Sequence, residues 1–179
     1  DVDMKNVIPS LYWGFGNTFT YKNWDLDVFI YSQLGVDKYN DVYSWTSGRG
    51  LGNQTNNMSV YIKDVWHSEL NPNGTIPGIA YEMASVSLPG GAGTDIGYEN
   101  SSFVRVRNIT LGYNFKPNQL GALSKLLSGI RVYVDVQNPF TFTGYTGLDP
   151  EVNTGGNYKG GKAEYPQTRT FSLGAKLSF

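Results

Sequence analysis

The sequence contains no cysteine among its 179 residues and a single histidine, His67. Without thiols there is no disulfide framework, no cysteine-ligated zinc and no thiol catalysis. A lone histidine also disfavours a histidine-rich metal site or a Ser-His-Asp triad. We therefore expect neither a metal centre nor another cofactor, and no catalytic residues.

Charge is also scarce. Asp, Glu, Lys and Arg make up 16% of the chain, against about 25% in a typical soluble domain. The net charge of -1 gives no basic field for nucleic acid, so DNA and RNA are excluded as partners. No run of apolar residues approaches the roughly 18 that a membrane-spanning helix requires.

Aromatic residues and glycine are abundant: 15% of the chain is Phe, Trp or Tyr, and 22 residues are Gly. Apolar residues alternate with polar ones, and this period of two is typical of strands with one apolar face. Five segments show it: about Ser10–Tyr21, Asp25–Gly35, Ser102–Phe115, Ile130–Phe142 and Thr168–Phe179. The sequence thus predicts an all-β chain of about five antiparallel strands.

The third segment changes phase along its length. Val104 and Val106 stand at even positions, whereas the apolar residues from Ile109 onward stand at odd positions. A shift of one residue is the signature of a β-bulge, which we expect near Arg107-Asn108. The bulge would keep Arg105 and Arg107 off the apolar face, where an arginine at mid-membrane would cost about 2–4 kcal/mol.

The connections between the five segments differ sharply in length. The two longest, about 36–101 and 143–167, fall at one end of an antiparallel sheet, and the shorter links Lys22–Trp24 and Lys116–Gly129 fall at the other. Outer-membrane barrels have this asymmetry, with long extracellular loops and short periplasmic turns. Five strands are too few to close a barrel, which takes about eight. We expect residues 1–179 to be one part of a large barrel.

Three segments carry a family resemblance: Phe103–Tyr113 (FVRVRNITLGY), Arg131–Glu151 (RVYVDVQNPFTFTGYTGLDPE) and Tyr165–Phe179 (YPQTRTFSLGAKLSF). In this order and spacing they resemble the C-terminal end of the SusC/RagA-like TonB-dependent outer-membrane transporters of Bacteroidetes-type bacteria. The resemblance covers about Ser101 to Phe179. It implies that the five strands are transmembrane strands of the C-terminal part of a large outer-membrane β-barrel.

The resemblance also implies a function and partners. Transporters of this family import nutrients, commonly oligosaccharides and sometimes peptides, across the bacterial outer membrane. A SusD-like surface lipoprotein caps the extracellular mouth, and the TonB complex acts on a plug domain. The plug has no counterpart in this sequence. The expected partners are therefore the lipoprotein, the rest of the barrel with its plug, TonB through that plug, and outer-membrane lipid.

Aromatic residues in the two long loops are the first candidates for contact with substrate or partner. These residues are Tyr43, Trp45, Trp66 and Tyr145. Aromatic rings on loops can stack on sugar rings. The alternative is that they pack the loop against itself or belong to an interfacial aromatic girdle.

Asp149-Pro150-Glu151 supplies two carboxylates in one turn. Asp149 and Glu151 could accept hydrogen bonds from sugar hydroxyls or from a partner's backbone. Glycoside hydrolysis would need two carboxylates at a set separation across a cleft, and the sequence indicates no cleft. The alternative is a structural turn without a ligand.

The last segment has a further candidate role. Its alternating apolar residues end on an aromatic one, a pattern that the barrel-assembly machinery generally reads in outer-membrane proteins. The residues of this candidate signal are Phe171, Leu173, Leu177 and Phe179. Two alternatives to the importer stay open: a secreted or surface β-sandwich that binds glycans, and a passive porin or adhesin barrel.

Overall fold

A computed structural model of the chain describes residues 5–40, 60–75, 98–152 and 165–179. The chain divides into two compact units. The sheet unit comprises Pro9–Leu34, Ser102–Gly144 and Pro166–Phe179. The loop unit comprises the described parts of Asp1–Ile8, Gly35–Ser101 and Tyr145–Tyr165.

The sheet unit is one antiparallel sheet of five strands in the order β1-β2-β5-β6-β7. The strands are β1 (Leu11–Tyr21), β2 (Trp24–Leu34), β5 (Phe103–Phe115), β6 (Gly129–Thr143) and β7 (Thr170–Ser178). Each is 9 to 15 residues long, enough for a tilted strand to cross a bilayer, which takes about 9–11 residues. The fold is all-β, and the strands overlap the five segments of period two.

The link between β1 and β2 is tighter than the sequence pattern indicates. Trp24 was expected in the turn, but it belongs to β2 and pairs with Tyr21. Only Lys22 and Asn23 remain between the strands. Lys22 has a φ of 56°, since a two-residue hairpin loop needs a left-handed residue to match the twist of its strands.

The predicted bulge in β5 is confirmed. Val106 pairs with Phe140 and Asn108 pairs with Gln137, so Arg107 has no partner in the ladder with β6. The same extra residue shifts the ladder with β2 between Phe29 and Ile30. The bulge therefore changes the parity of β5 while both neighbouring strands keep theirs.

The register sorts the strands' side chains into two faces. On one face, apolar residues align across all five strands; the row Phe15, Ile30, Val106 and Phe140 is an example. This apolar face is open, since Leu111, Phe171 and Leu173 are 44%, 70% and 77% exposed. A β-sandwich would bury such a face against a second sheet, but no second layer covers it within the described ranges.

Two short 3-10 helices form the link between β5 and β6. They are Pro117–Gln119 and Gly121–Lys125. Pro117 stands at the first position of its helix, where its missing N–H costs nothing.

The loop unit contains a second, two-stranded antiparallel sheet. Strand β3 (Asp37–Tyr39) pairs with β4 (Tyr98–Asn100). A 3-10 helix spans Val60–Asp64, and residues 67 and 71 form an isolated bridge. Among the described residues, the structure has no helix long and apolar enough to cross a membrane.

Candidate functional site

The polar face of the five-stranded sheet holds an ion pair between strands that are not neighbours. Asp25 on β2 and Arg131 on β6 meet across β5, with Arg131 Nε donating to Asp25 Oδ1 at 3.2 Å and Nη2 donating to Oδ2. Asn114 Nδ2 also donates to Asp25 Oδ1, at 2.6 Å. The pair lies over Gly112, where a Cβ would stand 2.6 Å from Asp25 Oδ2. Only glycine leaves room for this bridge.

Glycine serves the same purpose elsewhere on this face. Tyr133 on β6 lies over Gly174 of β7, whose added Cβ would stand 2.5 Å from the tyrosine Oη. Phe29 on β2 lies over Gly14 and Gly16 of β1, with ring atoms 3.5 Å from both Cβ positions. Large side chains thus lie flat along the sheet because the neighbouring strand presents glycine.

Oxygen-rich side chains form a row through the middle of the same face. Asp135 Oδ1 accepts from Asn108 Nδ2 and from Thr110 Oγ1, both at 2.6 Å. Further along the row, Thr18 Oγ1 donates to Asp27 Oδ1 at 2.5 Å. A hydrogen-bonded carboxylate and hydroxyl surface of this kind suits contact with water or polar ligands, and it is incompatible with lipid tails.

The arginines of β5 lie where the bulge places them. Arg105 is 1% exposed, donates from Nε to Thr141 Oγ1 at 2.9 Å and lies 5.3 Å from the ring centre of Phe103. Arg107 lies over Tyr31 at 5.5 Å and donates from Nη1 to its hydroxyl at 3.4 Å. Both predicted placements, off the apolar face, are confirmed.

In the loop unit, Glu99 on β4 holds the segment that follows β6. Its Oε2 accepts from Thr146 N at 3.0 Å, and its Oε1 accepts from Thr146 Oγ1 at 2.8 Å and from Asn40 Nδ2 at 2.9 Å. Asn40 is almost completely buried. The carboxylate of Glu99 therefore binds two chain segments, which lie 47 and 59 residues from it in sequence.

Lys38 on β3 makes a second clamp on the same segment. Its Nζ donates to the carbonyl of Pro150 at 2.9 Å and to the carbonyl of Val152. Backbone carbonyls at a turn have no strand partner, so the ammonium replaces the hydrogen bonds that they would otherwise lack. Glu99 and Lys38 together fix the two ends of residues 146–152.

The predicted contact residues lie in different surroundings. Trp66 is 48% exposed, while Tyr145 and Asp149 are only 6% and 5% exposed. Glu151 is half-buried, and its backbone N–H donates to Asp149 Oδ1 at 2.8 Å, as in an Asx turn. Tyr43 and Trp45 lie outside the described residues.

The residues of the candidate assembly signal are all open to the surroundings. Phe171, Leu173 and Leu177 face the same side of β7, opposite Val136, Val134 and Ile130 respectively. Phe179 follows the strand and is 89% exposed. His67, which carries no predicted role, accepts hydrogen bonds at Nδ1 from the backbone of Glu69 and Leu70.

Three residues that organise these sites could not be predicted from the sequence pattern. Lys38 and Glu99 stand in a stretch without periodicity, so no pattern pairs them with residues 146–152. In the sequence, Gly112 is only a small residue among the polar positions of its strand. Only the strand register places it opposite Asp25 and two residues from Asn114, the ladder partner of Arg131.

Comparison with known proteins extends the resemblance over nearly the whole chain. No family model matches it. It is 31% identical over 179 residues to the TonB-dependent receptor P3 of Formosa agariphila, covering 96% of this chain and 16% of that protein. It is 33% identical over 168 residues to the TonB-dependent receptor SusC of Bacteroides thetaiotaomicron, covering 93% of this chain and 15% of that one. The chain thus spans about a sixth of the length of these relatives.

The fold has matching solved structures. The RagAB peptide transporter matches with a TM-score of 0.73 and 26% identity, over 98% of this chain and 18% of that chain. The RagAB peptide importer in its closed-closed state matches with a TM-score of 0.74 and 24% identity, over the same shares.

The open sheet with one apolar and one polar face therefore has the architecture of an outer-membrane barrel wall. More particularly, the chain resembles the SusC/RagA-like TonB-dependent outer-membrane transporters, and the resemblance seen in three segments of the sequence is confirmed. These relatives are receptors and transporters and not enzymes.

Proposed function

We propose that this chain forms five strands of the wall of a TonB-dependent importer in the outer membrane of a Gram-negative bacterium. The sheet unit contributes lipid-facing surface on its apolar side and lumen surface on its polar side. The loop unit contributes extracellular surface.

One observation carries the proposal: the two faces of the sheet have opposite character over its full width. Apolar side chains such as Phe15, Leu111 and Leu173 are 51%, 44% and 77% exposed. In water an apolar surface of this extent promotes association. In a bilayer it faces hydrocarbon, while the other face keeps its polar groups hydrogen-bonded around a wet lumen.

The similarity to named proteins supports a substrate class and a partner. The relatives include SusC and other TonB-dependent receptors, and the structural neighbours include a peptide importer. We propose oligosaccharides or peptides as cargo. RagAB is a two-component assembly by its name, and a SusD-like surface lipoprotein is the corresponding partner for the protein that contains this chain, with plug and TonB supplying energy coupling.

Among the described residues of the loop unit, exposure separates two roles. We propose that Trp66 and Glu151 contact substrate or lipoprotein directly, together with Tyr43 and Trp45. Tyr145 and Asp149 are buried, so their proposed contribution is to hold the loop in shape. For the last strand, we propose that Phe171, Leu173, Leu177 and Phe179 are recognised during barrel assembly.

The experiment that tests this function uses the gene in its own bacterium. The protein is tagged and purified from detergent-solubilised outer membrane, and a deletion strain is grown on oligosaccharides or on peptides as the limiting nutrient. We expect co-purification with a surface lipoprotein and loss of growth on one nutrient class, restored by the intact gene. Recovery as a detergent-free soluble monomer would favour the β-sandwich alternative. Uptake that continues without TonB would favour a passive porin.

A further inference from the structure

The link between β5 and β6 exposes two leucines beside its polar residues. Leu123 and Leu126 are three residues apart, and the backbone bond from Leu126 N to Leu123 O, at 3.0 Å, has the same interval. Residues three apart lie above one another in a 3-10 turn. The two leucines therefore form one stripe, the leucine stripe, and are 51% and 73% exposed. Leu120 precedes Gly121, whose φ is 56°, so it does not continue the stripe.

The start of the link is tied to the apolar face of the sheet through Gln119. Gln119, at the start of the link, donates from Nε2 to the hydroxyl of Tyr113 at 3.2 Å and accepts from Asn23 Nδ2 at 2.7 Å. Tyr113 lies on the apolar face, where its ring packs edge-on against Trp24 at 4.8 Å and Phe115 at 4.7 Å. These hydrogen bonds hold the link beside the aromatic end of the face that we assign to lipid.

Missing barrel strands would not cover the leucine stripe from the sides. The flanking elements are both described: the β1–β2 turn, joined through Asn23, and the end of β7, joined through the bond from Ser128 N to Ser178 O at 2.8 Å. Further strands of a barrel would lie beyond β1 and β7. Neither flanking element covers Leu123 or Leu126, which are 51% and 73% exposed.

The link itself carries charge of one sign. The link from Lys116 to Ser128 includes Lys116 and Lys125 and contains no Asp or Glu. Lys22 in the neighbouring turn lies 5.2 Å from the ring centre of Tyr21, a residue of the apolar face. Lysines beside apolar surface place their stems along it and their ammonium groups toward anionic headgroups.

We infer that the β5–β6 link is an interfacial membrane anchor, in which Leu123 and Leu126 enter the headgroup boundary of the bilayer and the lysines bind phospholipid phosphates. The inference rests on the proposed barrel function. It adds a contact between a short strand connection and the membrane surface. Such a connection would ordinarily face water.

The test measures the depth of single spin labels in the full-length protein, with any cysteines outside this cysteine-free chain replaced by serine. Leu126→Cys is labelled with a nitroxide in liposomes of phosphatidylethanolamine and phosphatidylglycerol. Collision with oxygen, which concentrates in lipid, is compared with collision with a water-soluble nickel chelate. Ser124→Cys, off the leucine stripe in the same helix, is the matched control, and Leu173→Cys reports on the sheet itself.

We expect the oxygen-to-nickel ratio to be several-fold higher at position 126 than at position 124, and high at position 173. If position 173 is in lipid but position 126 resembles position 124, the anchor is refuted and the barrel stands. If position 126 is shielded from both reagents, another protein segment covers the stripe, and the anchor is equally refuted. A water-like ratio at position 173 would overturn the membrane assignment itself.

A second variant pair tests the role of charge. Lys125→Gln should move the label at position 126 toward water in anionic liposomes and have little effect in liposomes of phosphatidylcholine alone. Lys63→Gln, in the exposed 3-10 helix of the loop unit, is the control and should change neither ratio. An equal response to both substitutions would refute the binding of phosphates by the link.

Discussion

Arg131 and Asp25 are joined by two hydrogen bonds across an intervening strand, over the backbone of Gly112. A bridge between second-neighbour strands fixes three strands at once, because a slip of either ladder by one residue would turn one partner to the opposite face. It is therefore a constraint on register as well as an ion pair.

Gly112→Ala should destabilise the sheet. The new Cβ would stand 2.6 Å from Asp25 Oδ2 and 2.7 Å from Arg131 Nε, so the two side-chain ends must move apart, at a cost of up to about 1 kcal/mol for the loss of a solvent-accessible ion pair. Thermal unfolding of the detergent-solubilised protein measures this. Gly144→Ala is the control, since nothing lies within 4 Å of its Cβ. Equal melting temperatures for the two variants would show that the bridge contributes nothing to stability.

Leu173→Lys should be much more harmful than Ser172→Lys, although both residues are exposed on β7. Leu173 lies on the apolar face, opposite Val134, while Ser172 lies on the polar face, opposite Asp135. A lysine facing mid-membrane lipid costs about 2–4 kcal/mol, whereas lumen positions tolerate it. The fraction of folded barrel in lipid, read from heat-modifiable gel mobility, measures the difference. A reversed order of the two variants would mean that the faces are assigned the wrong way round.

Glu99→Gln should loosen the segment that begins at Thr146. The carboxylate accepts from the backbone N–H and from the hydroxyl of Thr146, and charge-assisted bonds of this kind contribute about 1.5–3 kcal/mol each. Hydrogen exchange at the Thr146 amide should become faster, while exchange in β6 stays unchanged. Glu69→Gln, in an exposed turn, should leave both rates as they are. An unchanged hydrogen-exchange rate at the Thr146 amide in Glu99→Gln would show that Glu99 does not hold this segment.

Lys38→Met should release the turn around Pro150. It keeps the aliphatic length of the side chain but leaves the carbonyls of Pro150 and Val152 without the ammonium, a loss of about 1–3 kcal/mol for unsatisfied polar groups. Limited proteolysis of intact cells should then cleave near residues 150–152 sooner. Lys63→Met removes an exposed lysine of the same unit and serves as the control. A cleavage rate equal to that of the control would contradict the clamp.

The strands could be predicted from the sequence wherever apolar and polar residues alternate. Alternation gave the faces of all five strands, and the change of parity between Val106 and Ile109 gave the bulge at Arg107. The sequence predicts a turn at Lys22–Trp24, but Trp24 belongs to β2. Its pairing with Tyr21 depends on the left-handed conformation of Lys22, which the lysine side chain gives no reason to expect.

The loop unit could not be read in this way. The carbonyls of Pro150 and Val152, which Lys38 contacts, lie 112 and 114 positions further along the chain. Tyr145 and Asp149 are candidates for ligand contact by residue type alone. In the structure they are 6% and 5% exposed, because neighbours that no local pattern specifies bury them.

The class of fold follows from local pattern alone, because the side chains of a strand alternate between two faces with a period that does not depend on the neighbouring strands. The missing thiols and the sparse charge limit the possible chemistry in the same local manner. Which polar residues meet depends on the folded chain: the ion pair over Gly112, the clamp of Lys38 and the network of Glu99 are examples. These contacts follow from strand register and from chain segments far apart in sequence, and such distances are fixed only when the whole sheet has formed.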